Sequence, residues 1–289
     1  MVPGENAFRR NPIQYFSLPA VYYYWDNNSC AYRRLIHPRD FGGIEMTLGP
    51  IDNSQRTAAK VVGFTYLLNF VTVIYVHYGI LWRLITENAA ETARNILAHE
   101  TLYRTGIALN LLYCAGIFVL LTALYVVLKP VNRGLALLAA FWWLVWAFMW
   151  LLMSLNYFDA LRLLKGADPL QAFDAQRLQA LAGFTLHTGF DRYYIGLLFW
   201  GLASTVCACL WFKSRYIPRA LAAFGVLSSA FAVACSFALF INPGFDKIVG
   251  LGWFDSPMGL FDIALSFWLI FKGLKLPGAS EARAQADVA

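Results

Sequence analysis

Apolar stretches of about 20 residues recur along this chain, and their length limits what it can fold into. A helix needs about 20 mostly apolar residues to cross a hydrocarbon core roughly 30 Å thick. Six such stretches occur, at residues 61–82, 106–128, 134–155, 193–212, 220–241 and 255–274. Only 14% of the residues are charged, against about 25% in a typical soluble domain. We therefore predict an all-α, polytopic membrane bundle of six transmembrane helices, since lipid cannot satisfy an open strand edge.

The connections between these stretches alternate in length and charge. KPVNR joins the second to the third stretch, and KSRYIPR joins the fourth to the fifth; both are basic and contain no acid. The other connections are longer and mix acids with bases. The positive-inside rule assigns the short basic loops to the cytoplasm, so we expect a multi-pass protein of the cytoplasmic membrane with both termini cytoplasmic. The formal net charge of +6 belongs to these topology signals and does not indicate nucleic acid.

The two ends of the chain differ from its apolar middle. Residues 1–45 lack the apolar core of a signal peptide and show no helical or strand periodicity. The segment MTLGPIDNSQRTAAK, from Met46, is typical of a short cytoplasmic start. We hypothesise that residues 1–45 are a misread start or a disordered tail, that 46–276 form the membrane domain, and that 277–289 form a disordered cytoplasmic tail.

The long loops carry helical signals of their own. In GADPLQAFDAQRLQALAGF, Asp168 suits an N-cap, Pro169 the first helical position and Gln171 a capping box. An apolar side follows at helical spacing. We therefore predict short interfacial helices in the outer loops.

The segment HTGFDRYY raises the question of whether the helix breaks before the fourth span. Gly189 suits the end of a loop helix, and Asp191 would then cap the span, with its charge favoured at the helix N-terminus. This break is the interpretation we favour. A continuous helix would instead place His187, Asp191 and Tyr194 on one face beside the outer mouth, as a site would require.

Several segments together resemble a known family. ILAHETLYRTGIALNLL, LYVVLKPVNRGLALLAAF, GADPLQAFDAQRLQALA, YYIGLLFWGL, FKSRYIPRALAAFGVL and LSFWLIFKGLK occur in the order and spacing of the domain-of-unknown-function family 4386. The resemblance runs from about residue 55 to residue 276. It implies a bacterial inner-membrane protein of six helices, and it assigns no reaction, ligand, cofactor or catalytic residue.

Polar residues inside apolar spans are the candidates for function, because a charge at the bilayer centre costs about 2.5–3.5 kcal/mol on insertion scales. Asp262 lies about two turns into the last span. It is either a proton-handling or ligand-binding group, or a buried acid satisfied by a neighbour. Asn110, towards the outer end of the second span, could line a cavity, whereas Asn69 is expected to bridge two helices.

The histidines and cysteines are candidates for a metal site. His77, His99 and His187 all fall on the predicted outer side, where Asp191 or Asp262 could join them. Their spacing matches no zinc motif, and the five cysteines have neither metal nor disulfide spacing. We therefore predict neither a metal nor a cofactor.

Two helical stripes stand out. Trp142, Trp146 and Trp150 recur every four residues down the third span, where they either wall an apolar or cationic pocket or simply pack. The fifth span carries a stripe of small residues, which allows close helix approach at a central position or at a homodimer seam. That stripe comprises Ala222, Gly225, Ser229, Ala232 and Ser236.

Three functions are compatible with these features. The first is a non-enzymatic protein whose outward-facing pocket binds or senses a small apolar or amphipathic molecule. The second is a proton-coupled transporter using Asp262. The third, an intramembrane metal-dependent hydrolase, requires His77 and His187 to converge with an acid. No nucleophile or phosphate-binding motif is present in the sequence, so we expect binding rather than catalysis. The ligand-binding or proton-handling candidates are Asp262, His187, Asp191, His77, Asn110 and Trp146.

Overall fold

The structure, a computed structural model, describes residues 23–24, 33–34, 51–166, 173–242, 244–245 and 254–275. The predicted cap at Asp168, the 277–289 tail and almost all of residues 1–45 lie outside the described residues. In the first of two units, Met1–Thr47, strand β1 (Tyr23–Tyr24) pairs antiparallel with β2 (Arg33–Arg34). Strands of two residues are too short to show a period in the sequence.

The second unit, Leu48–Ala289, holds every described helix. In chain order they are α1 (Asn53–Ile74), a π-helical segment (Tyr75–Leu81), α2 (Trp82–Leu84), α3 (Ala89–Ala98), α4 (Glu100–Leu128), α5 (Arg133–Leu164), α6 (Ala175–Ser214), α7 (Arg219–Ile241) and α8 (Ser256–Phe271). A capping box starts α1, in which Asp52 accepts from the Gln55 backbone at 2.6 Å and Gln55 Oε1 accepts from the Asp52 backbone at 3.2 Å.

Within the described ranges, five helical stretches are long and apolar enough to cross a membrane: Asn53–Leu84, Glu100–Leu128, Arg133–Leu164, Ala175–Ser214 and Arg219–Ile241. Helix α8 is equally apolar but has 16 residues. Large apolar side chains point outward, among them Phe64, Leu227 and Ile241, which are 63%, 70% and 81% exposed. Soluble proteins rarely expose apolar surface so extensively. The chain is a multi-pass helical membrane protein, as the hydropathy predicts.

Hydrogen bonds at one end of the bundle show which helix ends meet there. Gln55 Nε2, near the start of α1, donates to the carbonyl of Val127 at the end of α4, at 3.4 Å. The Lys275 amide, just after α8, donates to the carbonyl of Tyr216 between α6 and α7, at 2.8 Å. We call this the short-loop end, because the connections 129–132 and 215–218 lie here.

The opposite end carries the longer connections 85–99 and 165–174, and we call it the long-loop end. Lys165, after α5, pairs there with Glu100 at the start of α4, at 3.1 Å. Helix α3 lies in the first of these connections, as predicted for a long loop. Asn88 caps it by accepting from the backbone of Ala90 and Glu91, at 2.9 and 3.2 Å.

Helix α6 runs unbroken for 40 residues, so the predicted break at Gly189 is wrong. The helix begins after Asp174, which accepts from the Arg177 backbone at 2.8 Å, and it absorbs the separate loop helix expected before the span. Gly189 is buried against α5, where an added Cβ would lie 3.5 Å from Cγ of Met153. A glycine does not by itself end a helix, and here it lies inside one, at a position where a Cβ would make only ordinary contact with α5.

The small-residue stripe of α7 is buried within the protein. A homodimer through this helix stays a prediction. The side chains of Ala222, Ser229 and Ala232 have no exposed surface. Helices α6 and α8 cover this face. At Gly225 an added Cβ would meet the ring of Phe261 at 2.5 Å, which shows how closely α8 approaches.

Candidate functional site

Helix α5 directs three buried tryptophans into the bundle: Trp143, Trp146 and Trp150. The predicted stripe began at Trp142, which the structure leaves half-buried. A spacing of four residues drifts by about 40° per step on a helix with 3.6 residues per turn. Spacings of three and then four residues, from Trp143 to Trp146 to Trp150, keep the side chains on one face. The buried stripe therefore begins at Trp143 and not at Trp142.

These rings contact aromatic side chains of α4 and α6. Trp146 stacks on Trp200 with centroids 5.3 Å apart and planes 18° apart. Its indole Nε1 donates to the hydroxyl of Tyr113 at 3.2 Å, and the Tyr113 ring lies 4.6 Å from that of Trp150. Tyr193 is 5.7 Å from Trp146. We call this connected set the aromatic centre; it comprises Tyr66, Tyr113, Trp143, Trp146, Trp150, Tyr193 and Trp200.

Asp262 of α8 lies beside the aromatic centre and is 8% exposed. Its carboxylate is within electrostatic range of the hydroxyls of Tyr66 and Tyr113 and of the Cys207 thiol. Ser266 donates at 2.6 Å to the backbone carbonyl of Asp262 and not to its carboxylate. The Oδ1 atom is buried and has no hydrogen-bond partner among the described residues.

Asn110 and His77 add further unpaired polar atoms. Asn110 has no exposed surface, and neither its Oδ1 nor its Nδ2 has a partner in the described part of the chain. It lies one helical turn before Tyr113 on α4. The ring of His77 stands edge-on to Trp150 at 5.2 Å, and its Nε2 is buried without a described partner, as is the indole Nε1 of Trp150.

His77 belongs to the π-helical segment Tyr75–Leu81, which interrupts the α-helical hydrogen bonding of the first span. π-Helical turns are rare and occur frequently at functional sites, because they widen the helix and re-aim its side chains. This one lies where the first span meets Trp150. The segment YVHYGIL contains no feature that would predict it.

A second acid, Asp255, lies at the long-loop end of the aromatic centre, immediately before α8. The Tyr193 hydroxyl donates to its Oδ2. Burial raises the pKa of the Asp255 carboxyl, and the hydrogen bond from Tyr193 opposes that rise. Asp255 and Asp262 are seven residues apart, so they lie on one face of α8, about 10 Å from each other along its axis.

The structure does not bring His187 and Asp191 to this centre. Both are exposed on α6, and the ring of His187 lies against Phe190 with centroids 6.4 Å apart. His77 is buried against Trp150 instead. Among the described residues no three His, Cys, Asp or Glu side chains are grouped to hold a metal ion. The convergence that a metal-dependent hydrolase requires is therefore not formed by these side chains.

Two further polar side chains inside the spans, Asn69 and Asn156, make contacts between helices. Asn69 of α1 fits against Gly116 of α4, where any side chain would overlap its amide. Asn156 of α5 donates to the Thr185 carbonyl at 3.1 Å and to the Thr188 hydroxyl at 3.3 Å, both on α6. These amides join neighbouring helices, which is the usual role of such groups in membrane bundles.

Of the residues that the sequence offered as candidates, Trp146 is part of the aromatic centre, whereas the tyrosines of the centre and Trp200 were not among the candidates. Aromatic residues make up 17% of the chain, so an inward ring cannot be told from a lipid-facing one by type. A surface groove of about 360 Å³ also lies at the long-loop end, lined by Arg104, Phe158, Leu161, Arg162 and Lys165. It contains none of the predicted site residues.

Comparison with known proteins identifies the family. The chain matches no curated protein and no solved structure. The model of a family described as Domain of unknown function (DUF4386) matches residues 61–273, which include the whole aromatic centre and both acids of α8. This match confirms the resemblance carried by the six segments and covers most of the 289 residues. The chain belongs to the DUF4386 family.

Proposed function

We propose that this protein binds or senses a small amphipathic molecule at the aromatic centre, within the membrane, and that it is not an enzyme. The observation that carries the proposal is a concentration of unpaired polar atoms around one set of rings. Counting partners among the described residues only, these atoms include Asp262 Oδ1, the Asn110 amide, His77 Nε2 and the indole Nε1 of Trp150 and of Trp200.

The energetic argument concerns the cost of leaving such groups unpaired. A buried donor or acceptor without a partner costs about 1–3 kcal/mol, and more when it is charged. Native proteins retain few of these groups, and each calls for an explanation. A bound molecule that hydrogen-bonds to Asp262 and Asn110, with its apolar part against the tryptophans, would remove several of these costs at once. Ordered water is the competing explanation, since one water can satisfy two to four polar groups.

We also propose that α8 is a sixth membrane crossing. Its 16 residues extend about 24 Å, slightly less than a hydrocarbon core. Contacts at both of its ends support the crossing: Asp255 bonds to Tyr193, and Lys275 bonds to Tyr216. Tyr193 is about 32 Å from the end of α6 at Ser214, at a rise of 1.5 Å per residue, and Tyr216 follows two residues later.

The proposed location is the cytoplasmic membrane of a bacterium, with the short-loop end in the cytoplasm. Lys129 and Arg133 flank one short connection, and Lys213, Arg215 and Arg219 flank the other. Under the positive-inside rule the start of α1 and the end of α8 are then cytoplasmic. The long-loop end, with Asp255, faces outward, and the aromatic centre is reached from that side.

A proton-coupled transporter is the second candidate, and one observation favours it. Asp255 and Asp262 lie on one face of the shortest of the apolar helices, so a proton or a cation could pass from one acid to the other. Intramembrane acids commonly form such relays. The test is uptake into proteoliposomes, where Asp262→Asn must abolish coupling to a proton gradient. Uptake that remains coupled in this variant excludes the role.

Native mass spectrometry of protein released directly from its membrane tests the binding function. We expect a non-lipid adduct of one fixed mass on the wild-type chain, and we expect Trp146→Leu to lose it. The matched control is Asp191→Asn, which removes an exposed acid and should keep the adduct. The absence of any adduct from all three preparations contradicts the proposal, as does an adduct that Trp146→Leu retains in full.

A further inference from the structure

We propose that the groove at the long-loop end binds the phosphodiester headgroup of an anionic phospholipid. This site is separate from the aromatic centre and does not depend on the function proposed there. The groove encloses about 360 Å³, a volume typical of small-molecule sites. Its described walls come from the first turns of α4 and from the end of α5. They comprise Arg104, Phe158, Leu161, Arg162 and Lys165.

The charge of the groove favours an anion. Three of its five described lining side chains are basic and none is acidic. Two acids outside the lining pair with them. Glu100 contacts Arg104 at 2.7 Å and Lys165 at 3.1 Å, and Asp159 contacts Arg162 at 3.5 Å. Three cations against two acids leave one positive charge in excess, and a phosphodiester carries one negative charge.

The basic groups keep donors for a further acceptor. Among the described residues, Arg104 uses its Nε for Glu100, so the terminal nitrogens of its guanidinium can donate to phosphate oxygens. Lys165 has three hydrogens and makes two hydrogen bonds, both to Glu100. The contact of Arg162 with its acid, at 3.5 Å, is longer than an ordinary hydrogen bond. Arginine suits this role because its planar fork binds two phosphate oxygens at once.

The two walls of the groove are held together by a buried hydrogen bond beside it. The Tyr103 hydroxyl donates to the carbonyl of Tyr157 at 3.0 Å, and Tyr103 has no exposed surface. These residues immediately precede Arg104 and Phe158, one on each wall. A cleft whose walls are fixed in this way loses little conformational freedom when it binds.

The surface below the groove matches the acyl part of a lipid. Leu111 lies seven residues after Arg104 on α4, and Leu155 lies seven residues before Arg162 on α5. A step of seven residues returns to the same side of a helix, about 10 Å further along, which here is deeper in the membrane. The two leucines are 40% and 55% exposed. Acyl chains lying on them would add apolar contact that inorganic phosphate lacks, so we assign the groove to a lipid.

The excess positive charge also selects among phospholipids. A headgroup amine would bring a fourth cation to the three basic side chains and would cancel the charge of the phosphate. A headgroup without an amine, as in phosphatidylglycerol, keeps its negative charge. Each lysine or arginine beside an anionic lipid surface strengthens binding about fivefold.

The test is lipid titration of the delipidated full chain in detergent, followed by native mass spectrometry. We expect phosphatidylglycerol to bind at least about fivefold more tightly than phosphatidylethanolamine with the same acyl chains, and Arg162→Gln to weaken phosphatidylglycerol binding about fivefold. Arg177→Gln is the matched control and should keep the affinity. Arg177 lies outside the groove lining, is 73% exposed against 74% for Arg162, and also pairs with an acid three residues before it.

A second variant tests the same charge in the opposite direction. Glu100→Gln removes the acid that competes for Arg104 and Lys165, and it should tighten phosphatidylglycerol binding. Inorganic phosphate should displace the lipid no better than sodium chloride at the same ionic strength, because it lacks the acyl contact.

Each of these results can overturn the inference. Equal affinity for the two lipids would show that the groove does not select charge. Equal losses in Arg162→Gln and Arg177→Gln would assign the attraction to the protein surface as a whole. Unchanged or weaker binding in Glu100→Gln would contradict the excess charge, and displacement by phosphate beyond that by chloride would assign the groove to a free anion. All of these outcomes leave binding at the aromatic centre untouched, since the two sites share no residue.

Discussion

Replacing Asp262 by asparagine is expected to make the unliganded protein more stable. The carboxylate is 8% exposed, its Oδ1 has no partner in the described residues, and no basic side chain pairs with it there. Asparagine has the same shape and carries no charge. The substitution therefore removes the cost of burying an unpaired acid and keeps the size of the side chain.

The size of the effect follows from the burial of the acid. An unpaired buried polar group costs about 1–3 kcal/mol, and an acid at the centre of a membrane helix costs about 2.5–3.5 kcal/mol on insertion scales. Because asparagine keeps a polar amide in the same place, we expect recovery of about 1–3 kcal/mol. For a domain of 150–250 residues, 1 kcal/mol shifts the unfolding midpoint by about 2–4 °C, so a rise of roughly 2–10 °C is predicted.

The assay is the fraction of protein that elutes as a monodisperse peak after heating in detergent. The sample must be washed free of ligand, because bound ligand would stabilise the wild type selectively. Asp191→Asn removes an exposed acid and should stay within about 0.5 kcal/mol of the wild type. A midpoint for Asp262→Asn equal to or below that of the wild type refutes the reasoning, since it would mean that Asp262 already has a stabilising partner.

Four further substitutions test the packing and the charges. Gly196→Ala places a Cβ 2.7 Å from Cε3 of Trp146 and should destabilise the protein by about 1–3 kcal/mol and alter its near-ultraviolet circular dichroism. Gly189→Ala, with its nearest contact at 3.5 Å, should be tolerated in the same two measurements; equal effects of the two would contradict the packing. Glu100→Gln removes two exposed ion pairs and should lower the thermal midpoint only slightly, by an amount that vanishes in high salt. Tyr193→Phe removes a donor to the acid before α8 and should lower the midpoint by the equivalent of about 1 kcal/mol or more; an unchanged midpoint would contradict that hydrogen bond.

Hydropathy predicted the architecture well because the bilayer imposes both the length and the composition of a span. The predicted second and fifth spans, 106–128 and 220–241, end at the last residues of α4 and α7, although α4 begins six residues before the predicted start. The third and fourth were too short as well, since α5 and α6 continue beyond the apolar part of the sequence. The extra turns contact one another, as in the hydrogen bond from Asn156 to the Thr185 carbonyl, and a hydropathy window does not register such contacts.

The predicted break at Gly189 was wrong because glycine occurs both at helix ends and within helices. Glycine ends helices where the backbone must turn left-handed, and it also lies within helices where a neighbour comes close. The sequence does not show whether a glycine ends a helix or lies within one, whereas the unbroken course of α6 through Gly189 does. The connection from α6 to α7 shows the alternative, because Arg215, a non-glycine residue, adopts the left-handed conformation there, with φ 57°.

The candidate site was predicted in part. A buried acid or amide is conspicuous in an apolar run, so Asp262 and Asn110 could be identified from their positions alone. Which tryptophans face inward depends on the rotation of α5, and Trp142 was chosen where Trp143 is correct. His187 and Asp191 share a helical face, as one reading of the sequence required, but that face is turned away from the bundle.

An experimental density map of the protein, purified from its membrane with its bound molecules retained, tests the central claim most directly. The account predicts density larger than a water molecule at the aromatic centre, within about 6 Å of the rings of Trp146 and Trp150 and in contact with Oδ1 of Asp262. A map in which the rings close on one another, with only ordered water at Asp262 and Asn110, would contradict it.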